Sequence, residues 1–310
     1  MLNAFRAPQT SSYNKWDRCA AWQAHIDPSG GTSILDLRIY GPQDVNTYLP
    51  LLKKSPSAII APSCCWDDDT VGSIICSDSR LRSIALCGVW NAKMPQVIAS
   101  FAYITYLDMS NMKIRGGDLK AMIPAFSSLA KTLRYLDMSY NPIQDVGVDD
   151  LADILSPLVD LVYLDVGHCQ LSPKPQTKQP TNQPLPDLTK LSKTLSALTQ
   201  LTHLNLGGNY MLRDVGSKKM GAALHSLTQL THLDVSWNEL DDTGCEALIQ
   251  AMGTLPCLHT LILNGNKNIT VEGWRTLAPL LTVPTLLHLE LRQVGSMHLE
   301  DVNHLTYLDF

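Results

Sequence analysis

Tyrosine and aspartate recur in this chain two residues apart: Tyr106 with Asp108, Tyr135 with Asp137, and Tyr163 with Asp165. His203 with Asn205, His232 with Asp234, Thr260 with Ile262, His288 with Glu290 and Tyr307 with Asp309 continue the series. On a strand, residues two apart share a face, so the pairs predict an aromatic column beside an acidic one. Strands lie about 4.8 Å apart, where unit charges repel by roughly 0.9 kcal/mol in water-like dielectric and more at a protein surface. A cationic partner would relieve that repulsion, and tyrosines offer the stiff contact area common in binding hot spots. The predicted partner-binding set is Tyr106, Asp108, Tyr135, Asp137, Tyr163, Asp165, His203, His232, Asp234 and Trp237, with a basic protein segment as ligand. Tyr140 and Trp237, each one residue before an asparagine, extend it at the strand ends. The aspartates read equally as repeat consensus, their oxygens satisfying nearby backbone.

Other chemistry finds less support. His203 and His232 would be neighbours across strands, with Asp234 and Asp165 near, and two histidines with a carboxylate can hold zinc. The same groups read as solvated rungs of the aromatic column, and the sequence gives no metal or cofactor. It contains no phosphate-binding Gly-x-x-x-x-Gly-Lys loop, no Gly-x-Gly-x-x-Gly and no Gly-x-Ser-x-Gly. No nucleophile is paired with a base at a recognisable spacing, so a non-catalytic protein is expected.

The elements that must position these residues repeat. Ile104-Thr-Tyr-Leu-Asp-Met109, Leu133-Arg-Tyr-Leu-Asp-Met138, Leu161-Val-Tyr-Leu-Asp-Val166, Leu201-Thr-His-Leu-Asn-Leu206, Leu230-Thr-His-Leu-Asp-Val235 and Leu258-His-Thr-Leu-Ile-Leu263 share one template. Leu286-Leu-His-Leu-Glu-Leu291 continues it. The central leucines, Leu107, Leu136, Leu164, Leu204, Leu233, Leu261 and Leu289, are separated by 29, 28, 40, 29, 28 and 28 residues. A period near 28 leaves room for a helix after each strand. Residues 238–252 show its three- and four-residue apolar spacing. Asn141, Asn209, Asn238 and Asn266 close the strands, with Cys169 at the same position. Gly147, Gly216, Gly244 and Gly273 recur where the chain turns into the helix.

This pattern, Asn-x-Leu-x-Asp-x-x-Gly followed by a helix and LxxLxL, resembles the ribonuclease-inhibitor class of leucine-rich repeats. The resemblance covers about residues 81–310, where Leu81-Arg-Ser-Ile84-Ala-Leu86 fits the strand template, and fainter copies at Ala58-Ile-Ile60 and Thr32-Ser-Ile-Leu35-Asp-Leu37 reach back to Thr32. It implies an α/β solenoid, a horseshoe with parallel strands on the concave face and helices on the convex face. Members are generally protein-binding scaffolds. Some are GTPase-activating or regulatory proteins, and others are the sensor region of a larger receptor or effector; both stand as alternatives to the scaffold.

Two departures stand out. The 40-residue interval holds a polar stretch with five prolines, residues 172–186, predicted to loop out without order. Regular structure is expected to resume from Leu188, with Asp187 as N-cap. The chain ends at Phe310 inside another template copy, so truncation is expected there, or an open strand edge that pairs. Otherwise a monomer is expected. Residues 1–31, with Trp16, Cys19, Trp22 and Ile26 at near-helical spacing, suit a helical cap. The solenoid is expected to be irregular over 32–80 and regular over 81–310.

Composition narrows the setting. With 24 basic against 29 acidic residues, nucleic acid is not expected as a partner, since phosphate binding needs clustered cations. No run of about 18 apolar residues appears, so no membrane span is expected. The N-terminus lacks the apolar stretch of a secretory signal. Eight cysteines show no disulfide framework, which suits reduced thiols in a cytoplasmic protein.

Overall fold

Each template copy forms one very short strand, and its sequence says why it is short. The residue after the central leucine turns its side chain back on the main chain: Asp108 Oδ1 accepts from the Ser110 N–H at 2.8 Å. Asp137, Asp165, Asn205 and Asp234 repeat this with the N–H groups of Ser139, Gly167, Gly207 and Ser236, at 2.8–2.9 Å. Such an Asx turn ends the extended run after three residues. The computed structural model describes residues 34–36, 57–62, 75, 78, 80–172, 186–212, 214–279, 283–292 and 308–309. The cap expected over 1–31 and nearly all of the proline-rich 172–186 lie outside the described residues.

The strands are β1 (Ile34–Asp36), β2 (Ala58–Pro62), β3 (Ser83–Cys87), β4 (Tyr106–Asp108), β5 (Tyr135–Asp137) and β6 (Tyr163–Asp165). They continue as β7 (His203–Asn205), β8 (His232–Asp234), β9 (Thr260–Ile262), β10 (His288–Glu290) and β11 (Leu308–Asp309). They form one parallel sheet in sequence order. Its register aligns Leu35, Ile59, Ile84, Leu107, Leu136 and Leu164 on consecutive strands. The faint N-terminal copies are therefore true rungs of the same sheet.

Helices return the chain along the other side: α1 (Met94–Ser100), α2 (Gly116–Leu129), α3 (Val148–Leu155), α4 (Thr189–Ala197), α5 (Asp214–Leu224), α6 (Asp242–Met252) and α7 (Val271–Leu277). Their apolar faces and the inward leucines make one continuous core, from Ile59 to Leu291. The glycines at the helix starts serve close packing. A Cβ on Gly244 would lie 2.5 Å from Leu240 Cδ1, and one on Gly147 2.7 Å from Gly116 Cα. Asp187 does not sit at the N-cap of α4; Leu188 does. Asp187 Oδ1 instead accepts from the Thr189 N–H at 3.0 Å and pairs with Lys219.

A buried asparagine column stitches the turns together. Asn266, fully buried, accepts from the N–H groups of Asn238 and Leu240 in the preceding repeat and donates to Val235 and Leu263 carbonyls. Asn141 and Asn209 do the same in their repeats. Cys169 fills one position of the column and has only a thiol to offer, donated to the Met138 carbonyl at 3.2 Å. A single sulfur cannot gather the turn as an amide does. The Ile143 N–H turns to the Asn141 carbonyl instead, and a short 3-10 turn, Asp145–Gly147, precedes α3.

Candidate functional site

The register of β4–β8 places Tyr106, Tyr135, Tyr163, His203 and His232 on adjacent strands, all on the face opposite the leucines. Their rings stack into a continuous row. Centroids are 3.8 Å apart for Tyr106–Tyr135 and Tyr135–Tyr163, 5.7 Å for Tyr163–His203 and 4.1 Å for His203–His232. Stacking uses up the ring faces, so the row presents edges and hydroxyls rather than broad aromatic planes. The threonines before the histidines hold them in place: Thr202 Oγ1 and Thr231 Oγ1 each lie 2.8 Å from the next residue's Nδ1.

Tyr106 leans on a small apolar cluster, Ala58, Ile60, Ala85 and Cys87, that continues this face toward the N-terminus. Burial holds the phenols of Tyr106, Tyr135 and Tyr163 well above the ordinary tyrosine pKa, and nearby carboxylates push the same way. The three hydroxyls are hydrogen-bonded in sequence. They remain neutral donors and acceptors at any physiological pH.

The acidic column runs alongside. Asp137 and Asp165 are only 4% and 3% exposed. Each gives one oxygen to its own turn, as described above, and Ser139 Oγ also donates to Asp137 Oδ1 at 2.6 Å. These carboxylates end the strands on the ring-bearing face. Burial pushes Asp234 up to about 6, with Glu290 adding to it and hydrogen bonds from Ser236 opposing. Burial also lowers the His232 pKa, helped by His259 and His288. His288 Nε2 lies 3.2 Å from Glu290 Oε1. Among the described residues, no group of three or more His, Cys, Asp or Glu side chains could hold a metal ion.

Trp237 lies past the end of β8. It belongs to a second row, at the strand exits, where the residue before each column position is left-handed: Tyr140, Gly208, Trp237 and Gly265 before asparagines, His168 before Cys169 and Asn111 before Met112 all have positive φ. Tyr140 stacks on His168 at 4.4 Å. Gly208 and Gly265 leave room for their neighbours' rings, since a Cβ there would lie 2.2 Å from His168 Nδ1 and 2.3 Å from Trp237 Cδ2. Lys267 Nζ sits 5.8 Å from the Trp237 ring centroid. The structure thus separates the ten sequence-predicted residues into a strand row of nine and one rim residue.

Sequence reasoning missed a groove on the other flank. An open cavity of about 520 Å³ runs beside the ring edges at the strand starts, where Arg82, Thr105, Arg134, Val162 and Thr202 line it. Arg134 is braced by the Leu133 and Lys131 carbonyls and by Asp160 at 3.2 Å. Arg82 Nη1 donates to the Leu81 carbonyl at 3.1 Å, and its guanidinium lies 5.6 Å from the Tyr103 ring centroid. The signal was available, because these residues immediately precede the aromatic column.

With this geometry in view, comparison with known proteins is direct. A family model described as Leucine Rich repeat matches residues 130–152 and 226–248. The fold is that of a leucine-rich-repeat solenoid. Among solved structures it is similar to the leucine-rich-repeat-containing protein LegL7 from Legionella pneumophila, at 17% identity and a TM-score of 0.54 over 86% of each chain. It is also similar to a chain of the Rad7 and Elc1 complex in yeast, at 14% identity and 0.45, over 90% of this chain and 85% of that one. An internalin from Listeria monocytogenes matches at 15% identity and 0.33, over 87% of this chain and 94% of that one. At 17% identity the likeness to LegL7 shows the fold alone. No curated protein matches the sequence. No helix among the described residues is long and apolar enough to cross a membrane.

Proposed function

We propose that this protein is a non-catalytic scaffold that holds a protein partner on the strand-bearing face of its solenoid. The leucine-rich-repeat fold suggests an interaction scaffold, and one observation supports the location. Five stacked rings form an unbroken row across β4–β8, flanked by Asp108, Asp137, Asp165 and Asp234. Stacked rings with seated hydroxyls are rigid before a partner arrives, so little side-chain entropy is lost on binding. The carboxylates give the face a negative field, and a basic segment of the partner is the chemistry that fits it.

The test must remove charge without removing the turns. Asp108→Asn, Asp137→Asn and Asp165→Asn together keep the oxygen that each backbone N–H needs and delete three charges. Anisotropy of a fluorescein-labelled oligolysine peptide at 50 mM salt should show at least a tenfold loss of affinity in the triple variant, with circular dichroism showing both proteins folded at the assay temperature. Equal affinity would move the binding site off this face. Affinity capture with the same two proteins then identifies the natural partner as the one retained by wild type alone.

A further inference from the structure

The flank of the ring row opposite the aspartates is charged in the other sense, and this specifies the partner further. We infer that the groove at the strand starts is a subsite for carboxylate side chains of a peptide segment, so that the bound segment carries bases on one edge and acids on the other. The inference rests on the concave-face reading and deepens it.

Arg82 and Arg134 both line the groove, on residues that immediately precede β3 and β5. Two strand spacings separate them, about 9.6 Å. Their guanidinium groups are oriented by main-chain carbonyls of their own repeats, which prearranges planar donors for carboxylates. The pair that Arg134 makes with Asp160 is 39% and 49% exposed. A solvent-exposed pair of that kind exchanges readily for an incoming carboxylate. Between the arginines and His203 the wall is Thr105, Val162 and Thr202. Thr105 and Thr202 hydroxyls are spent on the Arg82 and Val162 carbonyls, so the arginines dominate recognition there. The row of ring edges then forms a neutral divide, with acids of the protein on one side and bases on the other. An extended peptide lying along that divide points alternate side chains to opposite edges. Alternating basic and acidic residues match both flanks at once.

Peptides of identical composition can test this. Labelled (Lys-Glu)6 places all lysines on one edge when extended, whereas labelled (Lys-Lys-Glu-Glu)3 mixes both charges on each edge. With the full chain at 50 mM salt, the alternating peptide should bind at least tenfold more tightly than the block peptide. Arg82→Glu with Arg134→Glu should erase that preference while leaving oligolysine binding intact or tighter. Arg82→Gln with Arg134→Gln should act in the same direction and covers the case in which charge reversal unfolds the chain. Equal binding of the two peptides, or a preference untouched by the glutamine pair, overturns the subsite. If oligolysine binds wild type and alternation adds nothing, the subsite alone fails. If oligolysine does not bind, the concave-face reading fails with it.

Discussion

The side-chain amide of Asn205 donates to Asp165 Oδ2 at 3.1 Å, across the step from β6 to β7. This is where the acidic column is interrupted, and the interruption is chemical rather than incidental. Asn205 still ends its strand through Oδ1, as the aspartates do, but its other terminus carries a donor where they carry charge. Gly167 makes the contact possible. A Cβ there would lie 3.0 Å from Asn205 Nδ2 and 3.1 Å from Asp165 Oδ1. The run Asp108–Asp137–Asp165 therefore ends on a neutral residue that stabilises its last carboxylate.

Asn205→Asp should expose this dependence. It keeps the acceptor for the Gly207 N–H and replaces the donor with a second carboxylate against Asp165. The expected loss is about 1–3 kcal/mol at pH 7, the cost of a missing partner for a charged group. Acid should rescue it. A proton shared by the two carboxylates is bound more tightly in the folded state, so stability returns as pH falls. Asn205→Ala should be destabilised without that rescue. Denaturant melts of both variants from pH 7 to pH 4 separate the cases.

Asp234 makes the opposite bargain with pH. Its folded pKa, about 6, lies above the unfolded value of 3.8. A raised carboxylate pKa means the folded state binds the proton more tightly, so ionised Asp234 costs stability above pH 6. That cost disappears as pH falls toward the unfolded value. Its size is on the order of 3 kcal/mol. Asp234→Asn should therefore be more stable than wild type at pH 8, with the gain gone by about pH 4. His232 works against acid: its depressed pKa favours the neutral ring when folded, so its contribution is lost as pH drops below the unfolded histidine value. Between pH 7 and pH 4 the two groups oppose each other, and Asp234→Asn should leave a protein more acid-sensitive than wild type.

The asparagine column predicts a graded response. Asn266→Ala removes four buried hydrogen bonds, and at roughly 1 kcal/mol each the loss should be about 3–5 kcal/mol. Asn266→Cys should cost less, because a thiol can still donate to a carbonyl as Cys169 does to Met138. Urea melts of the two variants rank them. An equal loss would mean that the amide's acceptor side carries the whole effect.

How much of this was legible beforehand follows from what each residue must satisfy locally. Leu107, Leu136 and Leu164 announce the strands, because a fixed period with inward leucines allows one stacking. Even Ile59 and Leu35, in faint copies, fell into register with them. The tyrosine and aspartate columns were legible as columns for the same reason. What sequence could not give was the use of each side chain. Asp137 ends its strand by accepting from the Ser139 N–H at 2.9 Å, a use of the side chain that spacing alone does not reveal. The orientation of Trp237 was not legible, because its backbone is left-handed, with φ of 52°, and alternation rules hold only while the chain is extended. Arg82 and Arg134 were passed over because single charges outside a periodic column resemble ordinary surface.

The rim offers the last prediction. Gly265 has φ of 73°, and a Cβ added to it would meet the Trp237 ring at 2.3 Å. Gly265→Ala thus combines two costs: about 1 kcal/mol for a side chain in the left-handed region, and displacement of a packed indole that also receives Lys267. A total loss of about 1–3 kcal/mol is expected, with a change in tryptophan fluorescence as the ring moves. A double-mutant cycle separates the costs. In a Trp237→Ala background the steric part vanishes, and only the backbone part should remain. If Gly265→Ala costs the same in both backgrounds, the glycine serves the turn alone and the ring merely fills a space already there. A smaller cost in the Trp237→Ala background would show that glycine is held at this position to seat the neighbouring ring, linking adjacent repeats through the rim as the asparagines do through the core.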